Sequence, residues 1–327
     1  MSDVFFQELE LRQPDLHLGI RATSFPDQAG QILARTGEAL SHVKPDRLLI
    51  LGDTNSGLSA IIAARMGIPV FHMEAGNRCY DDRVPEEINR RIIDHSSTIL
   101  MPYTYRSMEN LLREGIERDR IYVTGNPIYE VLQAFMAQID ASDVHARLNV
   151  QQGEYSLVTI HRAENVDQEE RLRQLLNGLV KVAHRQQVPM IISLHPRTAD
   201  KIKRFGIAIP LDYVQFITPL GFFDFIALEK HARVVISDSG TVQEECAIFQ
   251  TPNVTIRDVT ERAETVEVGS NILAGAEPDA LVRAVEIVLS MHSDWSPPSE
   301  YLVPDVSRTV VKIVLGHLGP VGRIRNL

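Results

Sequence analysis

The feature that most constrains what this chain can fold into is an alternation: short leucine-rich or β-branched runs recur between longer segments of helical period. That is the mark of βαβ units around a parallel sheet. It predicts strands near 47–51 (RLLIL), 69–73 (PVFHM), 97–101 (STILM) and 120–124 (RIYVT), with helices between them at about 54–66, 85–95 and 104–114. The polar, turn-forming stretch 138–153 (QIDASDVHARLNVQQG) interrupts the rhythm, and further strands are expected at 155–160, 189–194, 213–217, 233–237 and 253–257. At 327 residues the chain also exceeds what one hydrophobic core usually organises. The expected fold is therefore α/β, with two Rossmann-like doubly wound domains at residues 1–140 and 150–305 and a cleft between them. A last helix near 306–318, apolar at i, i+3 and i+4, is expected to cross back to the first domain within a terminal segment 306–327.

In open parallel sheets, ligands gather beyond the carboxyl ends of the strands. The polar clusters of this chain sit there. Asp53 follows one run in LLILGDTNSG and Glu74 the next in PVFHMEAG, while His161 follows SLVTI, His195 follows IISL, and Asp238 and Ser239 follow VVIS. In SDSGTVQEECAIF a strand ends at Ser237, Gly240 permits a tight turn and helical period resumes at once. Such a helix N-terminus can hold a diphosphate on its unpaired amides, although a capped structural turn has the same local pattern. Glu245, a turn and a half into the helix, is placed to accept hydrogen bonds from a ribose diol, whereas Glu244 points about 100° away.

In MEAGNRCYDDRVPEEINRRIIDH, Pro85 fits the first position of a helix that carries Glu86 and Arg90 at i, i+4 on one face. Alone, such a pair on a solvated helix is worth about 0.3–0.5 kcal/mol. Its place after the loop bearing Glu74 predicts that Asp53, Glu74 and Glu86 converge, an arrangement fit for acid/base chemistry. His161, followed by Arg162 and Glu164, reads as functional. His195, followed by Pro196 and Arg197, suits a nucleotide contact or a loop hydrogen bond equally, and His72 and His95 read as structural. Arg257 and Arg262 in RDVTERAETVEVG fit a phosphate clamp or a charged loop. Phe222, Phe223 and Phe225 read as core, with room for one of them to stack on a base.

The net charge of −10 offers no footprint for nucleic acid. Cys79 and Cys246 lie in no CxxC or Cys/His array, so neither a disulfide framework nor a metal site is expected. No apolar run approaches the roughly 20 residues that span a bilayer, and the acidic N-terminus does not read as a secretory signal. The expectation is a cytoplasmic protein with no membrane partner.

Taken in order, GDT, HMEAGNR, VPEEINRRIIDH, TGNPI, TIHRAEN, SLHPR, SDSGTVQEE and RDVTERAETVEVG resemble the non-hydrolysing UDP-N-acetylglucosamine 2-epimerases over nearly the whole chain. The resemblance implies a GT-B-like pair of domains. It also implies C2 epimerisation of UDP-N-acetylglucosamine to UDP-N-acetylmannosamine, by anti elimination of UDP and re-addition through 2-acetamidoglucal, with no cofactor. By motif position it implies that Asp53, Glu74, Glu86 and His161 are catalytic. Ser239 and Gly240 would meet the diphosphate, Glu245 the ribose hydroxyls, His195 and Arg262 the phosphates or sugar, Phe225 the uracil, and Arg90 the sugar side. A UDP-sugar partner, a homodimer and a role in cell-envelope polysaccharide biosynthesis are further implications.

The chain departs from the family pattern twice. The family's opening strand and GTRPE-type loop have no match in residues 1–45, which reads as a misplaced start or an internal methionine at Met1. The alternative is a catalytically impaired nucleotide-sugar-binding remnant. In addition, MEAGNRCYDDRVPEE is short and has no Trp before its Pro, as in relatives that epimerise C2 of UDP-2-acetamido-2,6-dideoxy sugars on the route to UDP-N-acetyl-L-fucosamine. A GT-B glycosyltransferase is the competing enzyme reading.

Overall fold

The structure is a computed structural model in which residues 6, 8–210, 212–291 and 294–317 are described. They form two compact units, one drawn from Met1–Gln13 and Ile128–Ser299, the other from Pro14–Pro127 and Glu300–Leu327.

The smaller unit opens with α1 (Phe25–Val43), where the sequence reading places no element. Its signals are nevertheless local. Ser24 caps the first turn through the Asp27 amide, a proline lies at the start, and buried Ile32, Thr36 and Leu40 recur every four residues. Then follow β1 (Leu48–Leu51), α2 (Ser59–Arg65), β2 (Val70–Met73), α3 (Pro85–Ser96), β3 (Ile99–Met101) and α4 (Tyr105–Arg113). The described strands pair in parallel in the order β1-β2-β3, with Leu48 opposite Val70 and Phe71 opposite Ile99. The strand expected at 120–124 does not form. Ile121 makes one bridge to Leu100, because a tight turn takes up Arg118–Arg120 and Pro102, just past β3, has no N–H with which to extend the ladder.

Alternation along each strand splits the core. Ile50 and Val70 face Leu40, Ala60, Ala63 and Ile93, while Phe71, Ile99 and Met101 face Val306 and Val310 of the C-terminal helix (Val306–Gly316). Residues 318–327 of the expected terminal segment lie outside the described residues. β1 is the edge of the described sheet, and its Leu49 and Leu51 are exposed.

In the larger unit, the chain beyond Pro127 forms α5 (Ile128–Asp140) and α6 (Val144–Leu148). The sequence reading ends the first half near 138–153. However, α5 lays Leu132 and Ile139 against Leu157, Ile191 and Val235 of the larger sheet, so the contacts change units at Pro127/Ile128. Next come β4 (Ser156–Thr159), α7 (Ala163–Val166), α8 (Glu169–Gln186), β5 (Met190–Ser193), α9 (Pro196–Arg204), β6 (Val214–Ile217), α10 (Phe222–Lys230) and β7 (Val234–Ser237). After these lie α11 (Gly240–Phe249), β8 (Asn253–Thr255), α12 (Ala263–Glu267), β9 (Asn271–Leu273) and α13 (Pro278–Ser290). All described strands are parallel, in the order β6-β5-β4-β7-β8-β9. β9 is absent from the sequence reading because its NIL, followed by Ala274 and Gly275, carries one β-branched residue, whereas the NVTI that holds β8 carries three.

Val158, Ile192, Val234, Ile236 and Val254 face α8 and α13, and Leu157, Ile191 and Val235 face α5, α10 and α11. Each such leucine, isoleucine or valine contributes about 1.5–3 kcal/mol by leaving water. The chain runs outward from β4 through β5 to β6 and then returns to β7 on the other side of β4. That reversal makes the β4/β7 crevice the topological switch point, where ligands of open α/β sheets bind.

Candidate active site

At the switch point, β4 leads into Ile160 and His161, and β7 into Asp238 and Ser239. A Thr159–Ser237 hydroxyl bond of 2.7 Å ties the two strand ends. Asp238 is fully buried there. It accepts hydrogen bonds from the amides of His161 (3.0 Å) and Arg162 (2.9 Å) and from the Asn165 side chain (3.1 Å), and it pairs with His161 Nδ1 at 3.0 Å. Burial alone would raise its pKa, but the bonds from His161, Arg162 and Asn165 together hold it below the ordinary carboxylate range. The imidazole of His161 is thereby fixed through one of its nitrogens.

A cavity of about 400 Å³ lies over this point. Thr159, His161, Ser193, His195, Ser239 and Thr241 line its polar part, Leu220, Phe222, Phe225 and Ile226 its apolar part, and Glu245 is the one carboxylate among the lining residues. The rings of His161 and His195 are 6.0 Å apart. Of the two roles the sequence left open for His195, the loop hydrogen bond is present, its Nδ1 accepting the Arg197 amide at 3.2 Å, and the residue also lines the cavity. Partial burial, with His161 and Arg197 nearby, lowers its pKa.

Helix α11 starts here, and Ser239 at its cap position makes no side-chain capping bond. The first-turn amides are therefore left for an anion, and the helix dipole favours one. Gly240 is tightly fitted. A Cβ on it would come within 2.9 Å of Glu261 Oε1.

Neither arginine of RDVTERAETVEVG is on the cavity wall. Arg257 is buried and pairs with Glu261 at 2.8 Å, and Arg262 pairs with Glu244, its guanidinium carbon 3.8 Å from where a Gly240 Cβ would stand. The sequence reading passed over Glu8, whose Oε2 accepts the Phe222 amide at 2.5 Å and caps α10 beside the cavity-lining Leu9. No local signal marks that contact.

In the smaller unit, Asp53 and Glu74 lie just past the carboxyl ends of the adjacent strands β1 and β2. Glu74 has φ of +65°, a left-handed conformation that costs a non-glycine residue about 1 kcal/mol or more and is concentrated at functional sites. Gly76 turns the loop at φ +78°, where the Ser107 carbonyl leaves no space for a Cβ. Glu74 Oε1 accepts from Asn77 at 3.1 Å, and its Oε2 is 3.2 Å from where a Gly52 Cβ would stand, beside the residue preceding Asp53. Asp53 Oδ2 accepts from Arg90 Nε at 2.8 Å, and its carbonyl from Asn89 at 3.0 Å.

Behind them, His72 is buried between Asp94 (Nδ1, 2.8 Å) and the Gly52 carbonyl (Nε2, 3.0 Å). Asp94 also pairs with Arg78 at 2.8 Å, and Arg78 with Glu114 at 2.6 Å.

The expected i, i+4 pairing of Glu86 with Arg90 is corrected. Arg90 is 2% exposed and pairs with Glu87 at 2.9 Å besides Asp53, while Glu86 is half-buried and makes no hydrogen bond or ion pair among the described residues. Burial decides between the two acids. Glu87 is fully enclosed and also accepts the Cys79 and Tyr80 amides at 3.0 and 3.2 Å, so its charge needs the guanidinium that Glu86, partly in water, does not.

The chain and its fold have known relatives. The family described as UDP-N-acetylglucosamine 2-epimerase matches residues 1–315. The UDP-N-acetylglucosamine 2-epimerase of Methanocaldococcus jannaschii is 41% identical over 305 residues, covering 91% of this chain and 83% of that protein. The UDP-2,3-diacetamido-2,3-dideoxy-D-glucuronate 2-epimerase of Pseudomonas aeruginosa is 37% identical over 293 residues, covering 88% and 80%. The crystal structure of the Methanocaldococcus jannaschii UDP-GlcNAc 2-epimerase in complex with UDP-GlcNAc and UDP is matched with a TM-score of 0.91 at 38% identity, over 97% of this chain and 88% of that one. Its fold is GT-B-like, and by sequence and structure together the chain belongs to the UDP-N-acetylglucosamine 2-epimerase family.

Proposed function

We propose that this protein interconverts UDP-N-acetylglucosamine and UDP-N-acetylmannosamine by inversion at C2. One carboxylate removes the C2 proton while the C1–O bond breaks and its electron pair leaves with UDP, giving 2-acetamidoglucal. Re-addition of UDP at C1, with a proton delivered to the opposite face of C2, completes the cycle with no oxidant or reductant. The observation that carries this reading is the placement of Asp53 and Glu74 at the ends of adjacent strands, Glu74 in a left-handed conformation against the residue before Asp53. Inversion needs a base on one face of C2 and an acid on the other, and the positive character developing at C1 is stabilised by carboxylates.

In the same reading, Glu86 joins Asp53 and Glu74, and Arg90 orients Asp53 toward the sugar. Ser239 and Gly240 hold the diphosphate, Glu245 the ribose hydroxyls and Phe225 the uracil. His195 is a direct phosphate contact, Arg262 supports the phosphate loop from behind Gly240, and His161 serves the departing diphosphate. The protein acts in the cytoplasm as a homodimer and supplies cell-envelope polysaccharide synthesis.

A second sugar has its own support. A relative 37% identical to this chain is named for a different UDP-sugar, and the loop between Glu74 and Glu87 is short, with no Trp before Pro85. UDP-2-acetamido-2,6-dideoxyhexose is therefore the second substrate to test. Incubation in heavy water decides. Epimerisation leaves deuterium at C2 of the recovered UDP-sugar, whereas a glycosyltransferase or a binding remnant leaves protium, and absence of exchange with both sugars overturns the reading. Asp238→Asn, which weakens the charged bond fixing His161, is expected to lower kcat about 10- to 100-fold in the same assay. An unchanged kcat would remove His161 orientation from the mechanism.

A further inference from the structure

Behind the cavity of the larger unit, a second carboxyl stands where the mechanism uses none. Glu229 of α10 is fully buried, as is nearly all of Glu245 on the neighbouring α11, and the two side chains are within hydrogen-bonding reach of each other. Glu245 lines the cavity; Glu229 does not. No cation pairs with either of them among the described residues: Lys230 is bonded to Asp140, and Arg262 to Glu244.

Glu229 Oε1 accepts the Cys246 thiol at 3.3 Å, while Oε2 is buried and receives no donor. A carboxylate oxygen left that way is costly, and two adjacent carboxylates in a dry site cannot both ionise. A single proton on Oε2 removes both penalties, because Oε2 then donates to Glu245. Burial, reinforced by the like charge of Glu245, holds Glu229 well above the ordinary glutamate range, and burial raises Glu245 as well.

We propose that Glu229 is a positioning residue for the nucleotide: as a neutral carboxylic acid it donates a hydrogen bond to Glu245 and holds that carboxyl toward the ribose hydroxyls. This rests on the reading that Glu245 meets the ribose. Glu229→Leu removes the donor and keeps an apolar, similarly sized side chain. Glu229→Gln restores a donor that cannot titrate.

The experiment measures, by calorimetry, the affinities of wild type and both variants for UDP and for 2′-deoxyuridine diphosphate, which lacks one ribose hydroxyl. Wild type and Glu229→Gln are expected to bind UDP about tenfold more tightly than the deoxy analogue. In Glu229→Leu that preference should vanish while affinity for the analogue stays within about twofold. Equal binding of the two ligands by wild type removes the ribose reading and the proposal with it. A preference that persists in Glu229→Leu, or an equal loss of both affinities, removes only the role of Glu229.

Infrared difference spectra of the wild type with and without UDP test the proton itself, whatever the folding of the leucine variant. A carboxylic-acid carbonyl band that shifts on binding and is missing in Glu229→Gln is expected. A wild type with no such band overturns the proposal.

Discussion

Glu74→Gln is expected to lower kcat about 10²- to 10⁴-fold while leaving the affinity for UDP within about twofold. The amide matches the carboxylate in size and keeps an oxygen for the 3.1 Å bond from Asn77, so the left-handed loop at Glu74 and Gly76 need not change. What it loses is the capacity to take or return a proton. UDP, by contrast, is read as held in the larger unit by the α11 N-terminus, Glu245 and Phe225. Steady-state turnover, C2 deuterium incorporation and UDP calorimetry on one preparation separate the two quantities. A kcat near wild type would take Glu74 out of the chemistry. Asp53→Asn is a less clean substitution, because it also weakens the 2.8 Å ion pair with Arg90 and so should disturb sugar binding along with turnover.

Asp94→Ala is expected to destabilise the protein by about 3–5 kcal/mol, the usual consequence of removing one partner from a buried charge cluster. Asp94, His72 and Arg78 have essentially no exposed side-chain surface, so the alanine leaves a guanidinium and an imidazole facing a void, and the Gly76 amide loses its 3.1 Å acceptor. The effect should depend on pH in a defined direction. For His72, burial lowers the pKa but the bonds to Asp94 and to the Gly52 carbonyl raise it further, leaving it above the ordinary 6.5. Its contribution is therefore full below pH 6.5 and is lost as pH rises through the folded value. For Asp94, burial raises the pKa but His72 and Arg78 bring it below the ordinary 3.8, so its contribution is full above pH 3.8 and is lost as pH falls through the folded value. The difference between wild type and Asp94→Ala in urea unfolding should thus be greatest between pH 3.8 and 6.5 and shrink on either side. A difference independent of pH would show that packing, not the charge cluster, sets the cost.

Much of the site was legible in the linear chain. The places of Asp53, Glu74, His161, His195 and Ser239 beyond strand ends were legible because each follows an apolar run, and a residue after a parallel strand is at the ligand-bearing edge of its sheet. The start of α11 was legible for a related reason: Gly240 and the return of helical period are local signals. The gaps also have local causes. β9 has a single β-branched residue to mark it, and RIYVT has strand composition but is cut off by the turn at Arg118–Arg120 and by Pro102. The helix Phe25–Val43 carried its cap, its proline and its four-residue apolar spacing in plain view.

By itself, then, the sequence determined the parallel α/β class, the strand ends that bear the candidate site's side chains and the family to which the chain belongs, because periodicity and turn chemistry act over a few residues. Only the tertiary structure decided how those side chains are paired. It buried Glu87 rather than Glu86 against Arg90, put Asp238 behind His161, set Arg262 against Glu244 instead of on the cavity wall, and placed Glu229 behind Glu245. Each of these outcomes depends on which charge loses its water and on which partner, in most cases far away in the chain, is there to replace it, and no run of neighbouring residues encodes that.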